Sequence, residues 1–389
     1  MRVLIAGGGV AGLTLAARLR QQGRHPVVVE KAHQYGDAGY GLGLYPLGSC
    51  VLHGLGMYQK MLERSVTLTR YDIADARGRV LQTMDTQVLT DHVGPLVMLS
   101  RTDLIDLLRE ACGELPIRMG TSVQHIDTGP DDKEARHEVQ VTFSDGSRES
   151  FDLVVACDGI HSDLRERVFG KQPGTDTGWL LWTWWGRGEG VEPTTAYEFW
   201  GRGWLAAAYP VPGRCMMVVG MPRRAVPDAT DSGAVRSAMQ AAIGPSAGPD
   251  GSPVLRGLLD DAAGATLFPW PMIDVGSRSW VRGRVALCGD AGTAFLPTAG
   301  AGASNALRSA AALADELSRA DAASVPLALE MYVKRCQRIV RRNQADSRFI
   351  ARFMFVSSRW FTPVRDLLIR FYPARRVIAQ IIASMRQPF

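Results

Sequence analysis

Long hydrophobic runs are missing from this sequence. No stretch reaches the roughly 18 to 20 uninterrupted apolar residues that a membrane-spanning helix needs. Met1-Arg2-Val3-Leu4-Ile5-Ala6 runs into glycines instead of continuing as the apolar core of a secretion signal. The six cysteines (Cys50, Cys112, Cys157, Cys215, Cys288, Cys336) are scattered, with no C-x-x-C pair. That argues against a zinc site and a disulfide framework, and for reduced thiols in a cytoplasmic protein. Neither His53 nor His161 stands at metal-ligand spacing. There is no internal repeat, no low-complexity linker, and no nucleic-acid-reading module to accompany the positive charge. What is present is the composition of a globular enzyme, 46% hydrophobic and 21% charged over 389 residues, enough for two joined domains.

The net charge of +5 is unevenly placed. Met331 to Phe389 holds 13 Arg and Lys against 2 Asp, a surplus of 11 that leaves the other 330 residues at −6. The basic tail mixes arginines with apolar residues (Phe349, Phe353, Leu367, Leu368, Phe371, Ile378, Ile381), a pattern that can lie on anionic membranes or pack on the acidic body. Pro363 and Pro373 should break it into short helices, which favours docking on the body over peripheral membrane contact.

The first chemical signal is Gly7-Gly8-Gly9-Val10-Ala11-Gly12. A continuous apolar strand, Val3-Leu4-Ile5-Ala6, precedes it, and a helix to Gln22 with Leu13, Ala16, Ala17 and Leu19 at helical spacing follows. Gly7 permits the turn, Gly9 lets a pyrophosphate approach the backbone, and Gly12 lets helix and strand pack closely. Helix N–H groups and dipole stabilise the phosphate charge. Glu30 ends the next strand, Val27-Val28-Val29-Glu30, where an acid accepts from adenosine ribose.

This turn alone does not separate NAD from FAD. The separation comes from Arg284 to Ala291, a buried strand delivering Asp290 into a cleft, and from Leu296-Pro297-Thr298-Ala299-Gly300-Ala301-Gly302-Ala303, a proline turn entering a helix. Asp290 suits ribityl hydroxyls. N–H groups near Gly302 and Ala303 suit the pyrimidine edge of a flavin, with Pro297, Gly300 and Gly302 beside the ring and no catalytic residue assigned. Gly39-Tyr40-Gly41-Leu42-Gly43 supplies backbone freedom near that ring.

Between these ends, helices are expected at Pro46–Leu55 and Arg101–Cys112, two strands within Leu68–Thr83, and a hairpin at Glu138–Phe151 turning at Ser144-Asp145-Gly146-Ser147. Trp179 to Met221 has the β-branched, aromatic, glycine-punctuated texture of an antiparallel sheet. Helices are expected within Ser232–Ala263, with a mobile loop at Pro245–Gly251, and an alanine-rich helix over Ala303–Ala320. The fold class is α/β: a discontinuous Rossmann-type FAD-binding domain (1–71, 99–178, 265–345), an inserted antiparallel-sheet substrate domain (72–98, 179–264), and a basic C-terminal helical segment (346–389).

With the fingerprint and Glu30, three more segments stand in order: Leu99-Ser100-Arg101-Thr102-Asp103-Leu104, Cys157-Asp158-Gly159-Ile160-His161-Ser162-Asp163-Leu164-Arg165, and Gly289-Asp290 through Gly302. In these the chain resembles the class A flavoprotein monooxygenases of the para-hydroxybenzoate hydroxylase fold. The resemblance implies that Arg101 contacts FAD, that Asp158 and Gly159 support FAD and NAD(P)H binding, and that Asp290 holds the ribityl chain. The candidate FAD-binding set is Gly7, Gly9, Val10, Ala11, Gly12, Glu30, Lys31, Gly43, Arg101, Val123, Asp158, Asp290, Gly300, Gly302 and Ala303. Three positions depart from the family: Thr293 where histidine is common, Ala301 where glutamine is, and Arg308-Ser309 where an acid is usual.

The implied reaction uses NADPH or NADH as a transient hydride donor and O2 as cosubstrate. A flavin C4a-hydroperoxide then hydroxylates or epoxidises a planar aromatic or polycyclic small molecule. A single dinucleotide fingerprint implies that the nicotinamide visits without a second Rossmann domain. Nine aromatic residues from Trp179 to Tyr209 suggest the substrate surface, with Trp182 and Trp184 on one strand face and Trp185 on the other. Tyr45, Trp182, Trp184, Arg187 and Tyr209 are the candidate substrate contacts. The rival readings are a flavin-dependent halogenase, a reductase acting on an isoprenoid chain, or a flavoprotein that sequesters an aromatic ligand. A monomer and a homodimer both fit the sequence.

Overall fold

The computed structural model describes residues 1–36, 40–128, 138–172, 174–226 and 228–385. Gly39 and residues 386–389 of the tail lie outside them.

Val3–Ala6 is a central strand of a six-stranded sheet. Leu153–Ala156 and Val27–Glu30 flank it in parallel, with Val285–Leu287 parallel beyond the first and Ile117–Met119 beyond the second. Every residue of Val3–Ala6 and Leu153–Ala156 is buried because both sheet faces are covered. On one side lie helices Val10–Gln21, Arg101–Cys112, Gly302–Ser318 and Val325–Met354. On the other lies a small antiparallel sheet of Val123–Asp127, Val139–Phe143 and Arg148–Phe151, the last two forming the expected hairpin around Gly146.

The aromatic stretch forms antiparallel strands Gly174–Gly186, Thr195–Trp200, Leu205–Val211 and Arg214–Pro222, part of an eight-stranded sheet. Arg70–Asp75 joins Thr195–Trp200 in parallel, and Val80–Asp85 forms the far edge. Alternation along Gly174–Gly186 divides its side chains. Leu180, Trp182 and Trp184 face helices Ser232–Ile243 and Pro253–Gly264, packing with Val235, Met239, Leu255 and Leu258. Trp179, Leu181 and Trp185 face the opposite way, toward Tyr71, Tyr209, Met216 and Leu296. A short sheet of Gly41–Leu44, Val66–Thr67 and Val97–Ser100 lies between this face and the nucleotide-binding helices.

Two local expectations change. Pro245–Gly251 is held in place: the Arg256 guanidinium donates to the carbonyls of Ala247, Gly248 and Pro249 at 3.2, 2.8 and 3.1 Å. Pro363 breaks nothing, since it sits in the first turn of helix Phe361–Phe371, where no N–H is required. The tail instead breaks after the 30-residue helix Val325–Met354, and Pro373 separates Phe361–Phe371 from Ala374–Met385. Buried Arg365 clips this end to the body by donating to the carbonyls of Trp200 and Gly201, and Ile378 is buried in the core under the sheet. Among the described residues no helix is long and apolar enough to cross a membrane.

Candidate FAD site and the facing aromatic surface

The glycines of the fingerprint do two different jobs. Gly7 has φ +115°, and a Cβ there would lie 2.3 Å from the Cys157 carbonyl oxygen; at Gly12 one would lie 1.9 Å from the Gly7 carbonyl oxygen. Both permit close packing. At Gly9 a Cβ would meet nothing within 4 Å, so glycine there keeps space open. Helix Val10–Gln21 begins at that open space with no side-chain cap and no acid in its first turn. Helices Arg101–Cys112 and Asp163–Phe169, by contrast, are capped by Ser100 and Ser162. Uncapped N–H groups at the edge of open space suit a phosphate.

Glu30 spans the turn. It accepts from the N–H of Gly8 at 2.7 Å and of Ala32 at 2.9 Å, using one bond per carboxylate oxygen and leaving acceptor capacity for ribose hydroxyls. Tyr35, which drew no notice in the sequence, donates its hydroxyl to the Gly8 carbonyl at 3.0 Å. Lys31 is exposed beside Glu30, and Val123 is buried at the start of its strand.

At the other end, Asp290 is reached by solvent but ringed by protein, as a side chain on the floor of a cleft would be. Loss of surrounding water pushes its carboxyl up to about 6, and no hydrogen bond offsets that among the described residues. A carboxylate so placed fits hydroxyl donors such as those of a ribityl chain. Tyr40 lies between charges, with Arg101 lowering and Asp290 raising its hydroxyl against a larger upward push from burial. Arg101 itself starts its helix, its N–H donating to the Tyr40 carbonyl at 3.2 Å.

The turn Pro297–Ala299 ends at Gly300, φ +59°, whose N–H donates to the Pro297 carbonyl at 2.9 Å. Thr298 donates to the Ser347 carbonyl at 2.7 Å, fastening the turn to helix Val325–Met354. Helix Gly302–Ser318 then starts without a side-chain cap, as the fingerprint helix does. Tyr45 meets this corner: its backbone N–H donates to Ser304 Oγ at 3.1 Å, and its hydroxyl lies 4.0 Å from where a Gly300 Cβ would be. Gly43 faces Met98 across the short sheet. Asp158 accepts from Ser162 Oγ at 2.5 Å and the Leu164 N–H at 3.2 Å. Arg165, buried, ties the Ile160 carbonyl to that of Ala291, next to Asp290. Thr293 is buried at the sheet edge opposite Gly276, so no titrating side chain stands there. Burial pushes Arg308 down to about 10.

Facing the Pro297 turn, which Leu296 begins, is the sheet surface with Trp185, Tyr71 and Tyr209, and its polar centre is Glu198. This buried carboxylate forms no ion pair among the described residues. Tyr71 and Tyr209 (2.5 Å) both donate to its Oε1, and Trp200 Nε1 donates to Oε2 at 2.8 Å. Burial and then the Glu198 charge hold both tyrosine hydroxyls well above their usual range, and burial pushes Tyr45 up to about 12. The phenols therefore stay protonated with their hydrogens committed to Glu198, and each exposes only lone pairs to a neighbour.

Of the candidate substrate contacts, the structure brings Tyr45 and Tyr209 to this surface and corrects three others. Trp182 and Trp184 are 0% and 1% exposed on the opposite sheet face, sealed by two helices. Arg187, 79% exposed in its side chain, pairs with Asp261 on helix Pro253–Gly264. Trp185, on the other face as its parity requires, lies on this surface with Tyr71 and Tyr209. Glu198 and Tyr71 were missed. The available signal was a glutamate inside an otherwise aromatic and apolar strand, Thr195-Ala196-Tyr197-Glu198-Phe199-Trp200.

The open phosphate turn, the cleft carboxylate and the two uncapped helices fit FAD, and residues 1–186 match the family model described as FAD binding domain. Over 375 residues the chain is 29% identical to 2-heptyl-3-hydroxy-4(1H)-quinolone synthase of Pseudomonas aeruginosa, covering 96% of this chain and 94% of that one. It is 26% identical to aurachin C monooxygenase/isomerase of Stigmatella aurantiaca, covering 98% and 96%. HpxO of Klebsiella pneumoniae, solved with FAD and uric acid, matches the fold with a TM-score of 0.86 over 99% of this chain and 96% of that one, at 24% identity. The class is thus that of FAD-binding oxidoreductases. Within it, the chain resembles the class A flavin monooxygenases of the para-hydroxybenzoate hydroxylase fold, and its similarity along nearly its whole length to a monooxygenase and to an FAD-bound structure supports that resemblance.

Proposed function

We propose that this monooxygenase takes electrons from NADPH or NADH and transfers one oxygen atom of O2 to a flat, uncharged aromatic molecule carrying an N–H or O–H donor. The observation that carries the substrate reading is the Glu198 cluster. With Tyr71 and Tyr209 both donating inward, the Glu198 cluster offers only acceptors to a ligand, while the Trp185 indole N–H stands beside it on the same surface. A substrate N–H or phenol would find an acceptor there. A substrate carboxylate placed against that cluster would meet like charge, an arrangement that costs several-fold in binding. The relatives' names, a quinolone synthase and an aurachin monooxygenase, agree with a heteroaromatic substrate.

Residues 1–71, 99–178 and 265–345 would serve FAD, and 72–98 with 179–264 the substrate. Gly9 and the first turn of Val10–Gln21 would hold the pyrophosphate, Glu30 the ribose, Asp290 the ribityl chain, and the N–H groups of Gly302 and Ala303 the ring edge. Bound FAD supplies the two-electron chemistry that activates O2. This chain's residues would hold the ring beside Pro297 and Gly300, would exclude water with Tyr40, Tyr45 and Trp185, and would offer the substrate proton a path through Tyr209 to Glu198 Oε1. A cytoplasmic site of action follows from the soluble donors and reduced cysteines.

The experiment follows NAD(P)H oxidation and O2 uptake by the yellow protein with a hydroxyquinoline and with the matching quinoline carboxylate. The hydroxyquinoline should stimulate both, and the carboxylate should not. Glu198→Gln should raise KM for the hydroxyquinoline about tenfold while FAD content is unchanged. Equal stimulation by the carboxylate would sink the donor reading alone. No stimulation by any aromatic would sink the monooxygenation of aromatics.

A further inference from the structure

The chain shows eleven large hydrophobic side chains at its exposed surface among the described residues, and seven fall between Trp360 and Tyr372. Phe361, Val364, Leu367, Leu368 and Phe371 lie on helix Phe361–Phe371, and Trp360 and Tyr372 bracket it. At 100° per residue the five helical positions occupy an arc of about 120°. Outside that arc, Arg365 and half-buried Ile369 face the body. The inner face is therefore already satisfied. The outer face is apolar, continuous and uncovered, with Trp360 at 73% and Phe371 at 74% exposure.

The charge around this face is of one sign. Arg352, Arg359, Arg370, Arg375 and Arg376 are all exposed, and none has a carboxylate partner among the described residues. From Phe349 to Met385 the sole acid is Asp366, which is bound to Arg365. Arg359 lies 4.7 Å over the Trp360 ring.

We propose that helix Phe361–Phe371 is a docking face for an anionic lipid surface, lying in the interface plane with its apolar arc inserted and the surrounding arginines on the headgroups. Three features favour lipid over a protein occupant. A second copy in a two-fold dimer would set the five arginines against their own mates. An indole and a phenol at the two ends of an apolar stripe match the aromatic preference of the membrane–water boundary. The combination of an apolar arc with unpaired arginines is that of a helix that lies on, and does not cross, a bilayer. The anchor is short: Arg365 holds the Trp200 carbonyl, and the Trp200 indole holds Glu198. A lipid-docked helix would thus stand one residue away from the polar centre of the aromatic surface.

The test is co-sedimentation of the full-length, flavin-loaded protein with vesicles of phosphatidylcholine alone and of phosphatidylcholine mixed with phosphatidylglycerol, alongside its solution mass by light scattering. Binding should appear only with phosphatidylglycerol and fall at least about tenfold when salt is raised to about 0.5 M. The double substitution Leu367→Ser with Phe371→Ser should abolish it, as should Arg375→Glu with Arg376→Glu. Both pairs are exposed, so FAD content and unfolding temperature serve as folding controls. The proposal is overturned if the anionic vesicles fail to bind the protein or if the serine pair binds as well as wild type. It is equally overturned if the protein is a dimer that the serine pair dissociates, because the face then belongs to a second copy.

Discussion

Two glycines three residues apart, Gly9 and Gly12, separate fold from function at the scale of one residue. Gly9 borders open space, and its φ of −82° is available to any residue. Gly9→Val should therefore leave the unfolding temperature of the cofactor-free protein within a few degrees of wild type while abolishing FAD retention. Gly12→Val would drive a side chain into the Gly7 carbonyl, 1.9 Å from its Cβ, and should destabilise the protein by about 3 kcal/mol or more. Thermal melts beside flavin absorbance check both. A yellow Gly9→Val protein would remove the pyrophosphate from this turn. Asp290 carries the pH dependence. Its carboxyl is raised from 3.8 to about 6 in the folded chain, so folding favours the protonated form. The cofactor-free protein should lose stability as pH rises from 3.8 through about 6, and Asp290→Asn should flatten that slope. FAD hydroxyls need the ionised form, so FAD affinity should move the other way, weakening as pH falls through about 6. Flavin-fluorescence titrations across that range measure it. An affinity with the same pH profile in Asp290→Asn would take Asp290 out of the site.

Elements were more legible in the sequence than the contacts between them. The strand, turn, helix and strand from Val3 to Glu30 followed from apolar runs and glycine spacing, because that unit is local. The division of Trp182 and Trp184 from Trp185 was legible too, since parity is a property of the strand alone. Which face meets the flavin side was not, because it depends on where helices Ser232–Ile243 and Pro253–Gly264 return. Glu198 was hidden for the same reason, as its partner Tyr71 lies 127 residues away in sequence. The long helix Val325–Met354 makes a further distinction. A chain ending after Arg342 loses Gln344, which donates to the Ala294 and Val275 carbonyls, and Ser347, which receives Thr298. That truncation should lose FAD along with the Pro297 turn. One ending after Ser358 keeps those supports and should retain FAD while losing vesicle binding. Flavin content after purification distinguishes the two, and a yellow product of the shorter chain would show that the helix does not steady the turn.

For the whole molecule, the charge asymmetry has a structural counterpart. Part of the tail's basic surplus lies on helix Val325–Met354, where Arg335 pairs with Asp315 and Glu316 and Arg348 with Asp274. The rest is held at one edge of the eight-stranded sheet, where the last two helices cover Val80–Asp85; there Gln82 donates to the Tyr372 carbonyl at 2.6 Å. Covering that edge removes a strand that would otherwise be free to pair with another chain. Docking on the body, which opposite charges favour, and an outward apolar face are therefore two sides of one helix.

The six-stranded sheet also sets a schedule. Val3–Ala6 is made first, and Val285–Leu287, two strands away, and Asp290 just after it come about 280 residues later. At roughly 5 to 20 residues per second the ribosome needs on the order of ten to fifty seconds to bridge that interval. Until then the nascent fingerprint turn has neither its cleft carboxylate nor the helix that opposes it, so flavin capture waits until the chain beyond Asp290 has been made.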